Sequence, residues 1–267
     1  MNTLGFQTAL ARLLVEPTLR EQWRVAPDTV AGDLKLTAEE TELLARIDLD
    51  RLDFTAGGIE RARTRTLKRM FAATLRAVGD PPSAERLVVG FVRAVVPLAA
   101  RDEAAKWINE GKQFVDHLRR LAIAGRVPPA LAELARLEWL RADLRYDPDA
   151  ARSAEWAHLH HVAATPPGAA TVPQLAAHVR VARFDADVLA LAAGRAPAQS
   201  GQSCLALALR PDGVIRAYRL TPEAADLYQA CDGSRTVAAL TATGPSGAAE
   251  LLATAWAHGL VLEANPG

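Results

Sequence analysis

The chain has 267 residues, enough for one large domain or two ordinary ones, and either size can bury a real core. Hydrophobic residues make up 50% of it but aromatics only 5%, so the cores are expected to be built from Ala, Leu and Val, which favours close-packed helices. Lys plus Arg and Asp plus Glu cancel at 31 each, which excludes a global field drawing the protein to nucleic acid or to an anionic membrane. No apolar run approaches the roughly 20 residues of a membrane span, and the start Met1-Asn-Thr-Leu-Gly5 lacks the basic flank and apolar run of a signal peptide, so a cytoplasmic protein is expected. Cys204 and Cys231 have no Cys-x-x-Cys spacing and are expected to be two buried thiols.

The first half reads as helices with clear punctuation. Phe6, Leu10, Leu13 and Leu14 recur at helical spacing, and Pro17 opens a short helix through Leu19 and Trp23. Thr37-Ala-Glu-Glu40 has the form of a capping box ahead of Leu43, Leu44 and Ile47. A longer helical segment over 50–78 contains Gly57-Gly58, a pair expected to kink or break it, and Pro81-Pro82 ends it. Ser83 starts the helix of Leu87, Phe91 and Val95. Asp102 caps a long helix through Trp107, Phe114 and Leu118, and Pro128-Pro129 opens the helix of Leu131, Leu134, Leu137 and Leu140.

Between Asp147 and Pro173 the composition turns to Ala, His, Thr, Pro and Gly, and a linker is drawn there. After it, Val179, Val181 and Phe184 alternate as in a strand, 188–193 suits a short helical turn, and 194–202 reads as a loop. Two further runs, Cys204 to Leu209 and Val214 to Leu220, flank Arg210-Pro-Asp-Gly213, a tight hairpin turn. The segment Leu220 to Leu240 then packs a helix start, a stop and a second start into one stretch. Thr221 caps and Pro222 fits the first turn, Asp232-Gly233 ends the helix, and Ser234 or Thr236 caps the next. With a last helix ending before Gly259-Leu-Val-Leu262, this is the order of a small winged helix.

On Leu220, Pro222, Ala224 (or Ala225), Leu227, Asp232, Gly233, Thr236 and Val237 the chain resembles the PqqD-type peptide-recognition domain of ribosomal-peptide biosynthesis. Domains of that family hold the leader of a precursor peptide and carry no catalytic residues. On Phe6-Gln, Ala9-Leu-Ala-Arg-Leu-Leu14, Pro17 and Leu36-Thr-Ala-Glu-Glu40 the N-terminal half resembles the helical domain of partner proteins of multinuclear non-heme iron oxidative enzymes, the methanobactin and thiaglutamate types among them. The resemblances imply a mainly α N-terminal docking domain (1–146), a linker (147–173) and an α+β winged-helix, PqqD-like domain (174–267). They imply a non-catalytic protein whose partners are the iron enzyme and the precursor leader, with no cofactor of its own because the iron belongs to the enzyme.

The resemblance also places the peptide on the strand before the motif: Val214, Ile215, Arg216, Ala217, Tyr218 and Arg219. Unpaired backbone groups on an edge strand accept a peptide as a further strand. The matching groove wall is the helix over 246–256, with Leu251, Leu252 and Ala255, and the bland alternative is that about half of its apolar residues are core. Alternation separates Val214, Arg216 and Tyr218 from Ile215, Ala217 and Arg219 without saying which set faces in.

The strongest charge run is Arg61-Ala-Arg-Thr-Arg-Thr-Leu-Lys-Arg69, either a solvated helix face or a docking surface for an acidic patch, with Arg61, Arg65, Lys68 and Arg69 as the docking residues. Glu155 and His158 have the Glu-x-x-His spacing of di-iron bundles, but no second copy exists, and the cluster His158, His160, His161 beside a Pro/Gly linker reads as exposed or as an interface rather than a metal site. Neither Gly-x-Ser-x-Gly nor a phosphate loop is present. Two other classes stay open. A winged-helix transcription regulator requires a basic recognition helix, whereas 236–243 and 246–257 contain no Lys or Arg. A metalloenzyme would use Glu155, His158 and His161.

Overall fold

A computed structural model describes residues 3–160, 165–195 and 202–264. The chain divides into two compact units, Met1–Ala124 and Gly125–Gly267.

The first unit is helical: α1 (Thr3–Val15), α2 (Pro17–Val25), α3 (Pro27–Asp33), α4 (Ala38–Ala45), α5 (Leu49–Met70), α6 (Ala72–Ala77), α7 (Pro81–Ala94) and α8 (Glu103–Ile123). Local chemistry sets the starts. Pro17 and Pro27 occupy first turns, where a missing N–H costs nothing. The capping box forms as written in the sequence, with Thr37 Oγ1 accepting from Glu40 N (3.2 Å) and Glu40 Oε2 accepting from Thr37 N (2.9 Å). Glu40 also accepts from Phe6 N (3.2 Å), tying α4 to α1. These backbone donors, that of Thr37 first, hold the Glu40 carboxyl below its ordinary pKa.

Two expectations fail here. The helix α5 runs unbroken through Gly57-Gly58 and ends at Phe71, because its packing against α1, α7 and α8 outweighs the low helix propensity of two glycines. Pro81-Pro82 opens α7, capped by Asp80, whose carboxylate accepts from Ser83 N (2.8 Å). Apolar residues of α1 to α5 form one core, with Leu13, Trp23 and Leu44 buried in it. Phe71, Phe91 and Phe114 form a second, with ring centroids 4.8 and 5.2 Å apart.

The second unit begins earlier than the linker drawn from composition. It contains α9 (Pro129–Tyr146) and, inside the supposed linker, α10 (Pro148–His160). Long-range polar contacts bind both helices to the segment 178–183. Arg180 donates to Asp143 (3.1 Å) and Asp147 (2.8 Å), Arg136 donates to the Arg183 carbonyl (2.6 Å), and Ser153 Oγ lies 2.9 Å from His178 Nδ1. Then come β1 (Pro173–Leu175), β2 (Val179–Phe184), α11 (Val188–Ala192), β3 (Ser203–Leu209), β4 (Ile215–Leu220), α12 (Pro222–Gln229), α13 (Val237–Thr243), α14 (Ala248–Ala257) and β5 (Val261–Glu263). Most of the loop read over 194–202 lies outside the described residues, as do His161 and the side chain of His160.

The strands form an antiparallel sheet in the order β2-β3-β4 and a two-stranded ribbon of β1 with β5. All seven residues of β3 are buried, because helices cover both faces of the sheet. Ala206 and Ala208 join Val179, Leu227, Tyr228, Leu240 and Leu252 in the core beneath α12, α13 and α14. Leu205, Leu207 and Leu209 alternate to the opposite face, where α9 and α10 pack on β3. Thr221 and Thr236 cap α12 and α13 by accepting from Ala224 N and Ala239 N, each at 3.2 Å. Cys204 and Cys231 are buried free thiols.

Candidate functional site

The turn before β4 determines what that strand can offer. Gly213 N donates to the Arg210 carbonyl (2.9 Å) and Arg210 N to the Val214 carbonyl (2.9 Å), with Gly213 at φ +77, which only glycine adopts without strain. Arg210 and Val214 are therefore a hydrogen-bonded pair. Antiparallel ladders alternate bonded and non-bonded pairs, so in the register Leu209 to Ile215, Leu207 to Ala217 and Leu205 to Arg219 the β4 residues send their N–H and C=O groups away from β3. Because β4 ends the β2-β3-β4 order, the backbones of Ile215, Ala217 and Arg219 form an open edge among the described strands.

The same register resolves the faces. Tyr218 and Leu220 pack toward the core under α12 to α14, while Ile215, Ala217 and Arg219 point to the other face. Arg219 is held there by Asp187 at 2.9 and 3.1 Å. Arg216 is exposed, as is Val214 just ahead of the strand. The Tyr218 ring lies 5.6 Å from that of His258, tilted by 38°, at the end of α14. No local signal marked His258, a lone histidine after an apolar helix.

The expected helical wall needs correction. Leu252 and Ala255 are 1% and 0% exposed and belong to the core, so they have no surface to give a peptide. Leu251 is half-buried, and its carbonyl accepts from the Tyr228 hydroxyl (3.2 Å). The helix α14 is apolar on nearly every side, so periodicity alone could not distinguish its core face from its open one.

In the first unit the basic run divides. Arg63 is 2% exposed and turns inward, donating to Glu110 Oε1 (2.5 Å) and to the Val92 and Val95 carbonyls (2.8 Å each). Arg61, Arg65, Lys68 and Arg69 are exposed and line a groove between α5 and α7, with Gly57 and Glu60 on one side and Glu85, Val89, Val92 and Arg93 on the other. Lys68 pairs with Glu85, and Arg93 approaches Glu60 at 3.5 Å. Arg61, Arg65 and Arg69 make no ion pair among the described residues.

Glu155 and His158 are exposed on α10. Among the described residues no group of three or more His, Cys, Asp or Glu is placed to hold a metal ion. Instead His158 lines a small cavity with His178 and His258. No helix among the described residues is long and apolar enough to cross a membrane. No protein-family model matches the chain, and a search of curated proteins finds no match either.

Proposed function

We propose that this chain is a non-catalytic partner protein in the biosynthesis of a ribosomally made, modified peptide. Its second unit, read as a PqqD-like winged helix, binds the precursor leader, and its first unit docks on a multinuclear non-heme iron oxidative enzyme. The observation that carries the reading is the open β4 edge: three consecutive outward backbone positions, Ile215, Ala217 and Arg219, immediately ahead of the capped helix pair that resembles the peptide-recognition family. A leader segment added there gains main-chain hydrogen bonds, and side chains along it select the sequence.

The work done is positioning. Holding the leader converts the encounter between the modifiable residue and the enzyme's iron into a tethered one and restricts which residue arrives. The cationic α5–α7 groove supports docking on an acidic surface of the enzyme. The absence of Lys and Arg from α13 and α14 favours peptide over DNA as the ligand. Co-expression with a candidate enzyme and its precursor, followed by pull-down on this chain, is expected to recover both in stoichiometric amounts. A purified trio that forms no complex at micromolar concentration overturns the reading.

A further inference from the structure

We propose that the second unit carries an oxyanion pocket at the hairpin end of its three-stranded sheet, built from His158, His178, His258, Arg210 and Tyr218. Three of the chain's six histidines arrive there from separate parts of the fold: His158 from α10, His178 from the residue ahead of β2, and His258 from the residue after α14. Arg210 enters from the β3-β4 turn and Tyr218 from β4 itself, and the rest of the lining is apolar or glycine.

Arg210, Tyr218, His158 and His258 carry side chains that can donate a hydrogen bond, His178 is already engaged by Ser153, and no Asp or Glu is among the described lining residues. Arg210 is a half-buried residue whose side chain makes no ion pair or hydrogen bond among the described residues. A permanently charged side chain beside three imidazoles, with no carboxylate among the described lining residues, is the arrangement an anion would complete. One wall is fixed, His178 being 5% exposed with Ser153 Oγ 2.9 Å from its Nδ1, while the exposed His258 ring lies 5.6 Å from that of Tyr218. The five residues line a cavity of about 190 Å3. At roughly 30 Å3 per water, that space admits a carboxylate or a phosphate with some of its hydration.

Tyr218 belongs both to this pocket and to β4. If the peptide reading holds, on which this assignment of source rests, the oxyanion is the carboxylate of an acidic leader residue lying along β4. A free phosphate or small carboxylate presents the same chemistry.

The test separates the two sources. The full chain is titrated with inorganic phosphate while the imidazole nitrogens are followed by 1H–15N spectra. Saturable shifts are expected at His158, His178 and His258 and not at His117, with Arg210→Gln weakening phosphate at least tenfold and Arg210→Lys restoring part of the loss. Shifts that never saturate overturn the pocket, as does an Arg210→Gln chain that stays folded and binds phosphate unchanged. His258→Gln provides a second variant, away from the turn, with the same expected weakening. For the source, a leader whose affinity falls both when its carboxylates are replaced by amides and when phosphate is added assigns the pocket to the peptide. A leader that binds no better than a scrambled one ends the peptide reading while a saturable phosphate response still upholds the pocket.

Discussion

The most demanding prediction concerns Arg63, which connects three helices of the first unit. Its guanidinium, on α5, donates to Glu110 on α8 and to the Val92 and Val95 carbonyls at the end of α7, where a helix leaves its last carbonyls without internal partners. Arg63→Met removes all three bonds. It leaves the Glu110 carboxylate, 1% exposed and already with no partner for Oε2, without its counter-charge, a loss of about 3–5 kcal/mol. The two orphaned carbonyls add about 1 kcal/mol each. The sum rivals the whole stability of a small domain, about 5–15 kcal/mol. Adding Glu110→Met removes the stranded charge and leaves only the carbonyl cost of about 2 kcal/mol, so the double variant is expected to be the more stable of the two. Two units need not unfold together, so the measurement is amide hydrogen exchange by mass spectrometry on peptides from α5, α7 and α8. A double variant less protected than Arg63→Met refutes the reasoning.

The remaining predictions use the same structure. Ala217→Pro deletes an N–H that points to the open edge, so the unit is expected to fold and lose at least tenfold in leader affinity by calorimetry; Tyr218→Pro deletes an inward donor and is expected to disrupt the sheet. Leu252→Ala is expected to cost about 2–5 kcal/mol in exchange protection of the second unit, with leader affinity of the folded protein unchanged; an affinity loss without a stability loss would return Leu252 to the groove. Gly57→Ala places a Cβ 3.3 Å from Arg61 Nη1, the far end of a flexible side chain, so α5 is expected to gain about 0.5–1 kcal/mol in local protection. Burial pushes the Cys231 thiol from its ordinary 9.0 up to about 11, so between those values the native state holds a proton that the unfolded chain releases. Stability is therefore expected to fall as pH rises through that window, and Cys231→Ala is expected to remove that part of the slope.

What could be read from the sequence divides by the range of the interaction. Thr37 and Thr221 were identifiable as caps, and Thr236 as one of two candidates with Ser234, because each bond closes within three residues, and Pro211-Asp-Gly213 announced its turn for the same reason. Arg63 looked like one more basic residue in a run, since its carboxylate partner lies 47 residues on and its carbonyl partners belong to the end of another helix. The Ala-rich stretch holding α10 read as linker because its anchors, Ser153 to His178 and the Arg180 bridge beside it, are made to residues beyond the next Pro/Gly segment. Glycine is the instructive intermediate: Gly213 acts through its own φ and was legible, whereas Gly57-Gly58 stay helical because helices distant in sequence pack against α5. The candidate sites inherit this division. The strand β4 was reached through the family resemblance, while its place at the end of the sheet and the direction of its backbone groups needed the fold. The histidine pocket exists only after α10, the start of β2 and the end of α14 have been brought together, and a local search that grouped His158 with its neighbours in sequence could not reach the two rings it meets in space.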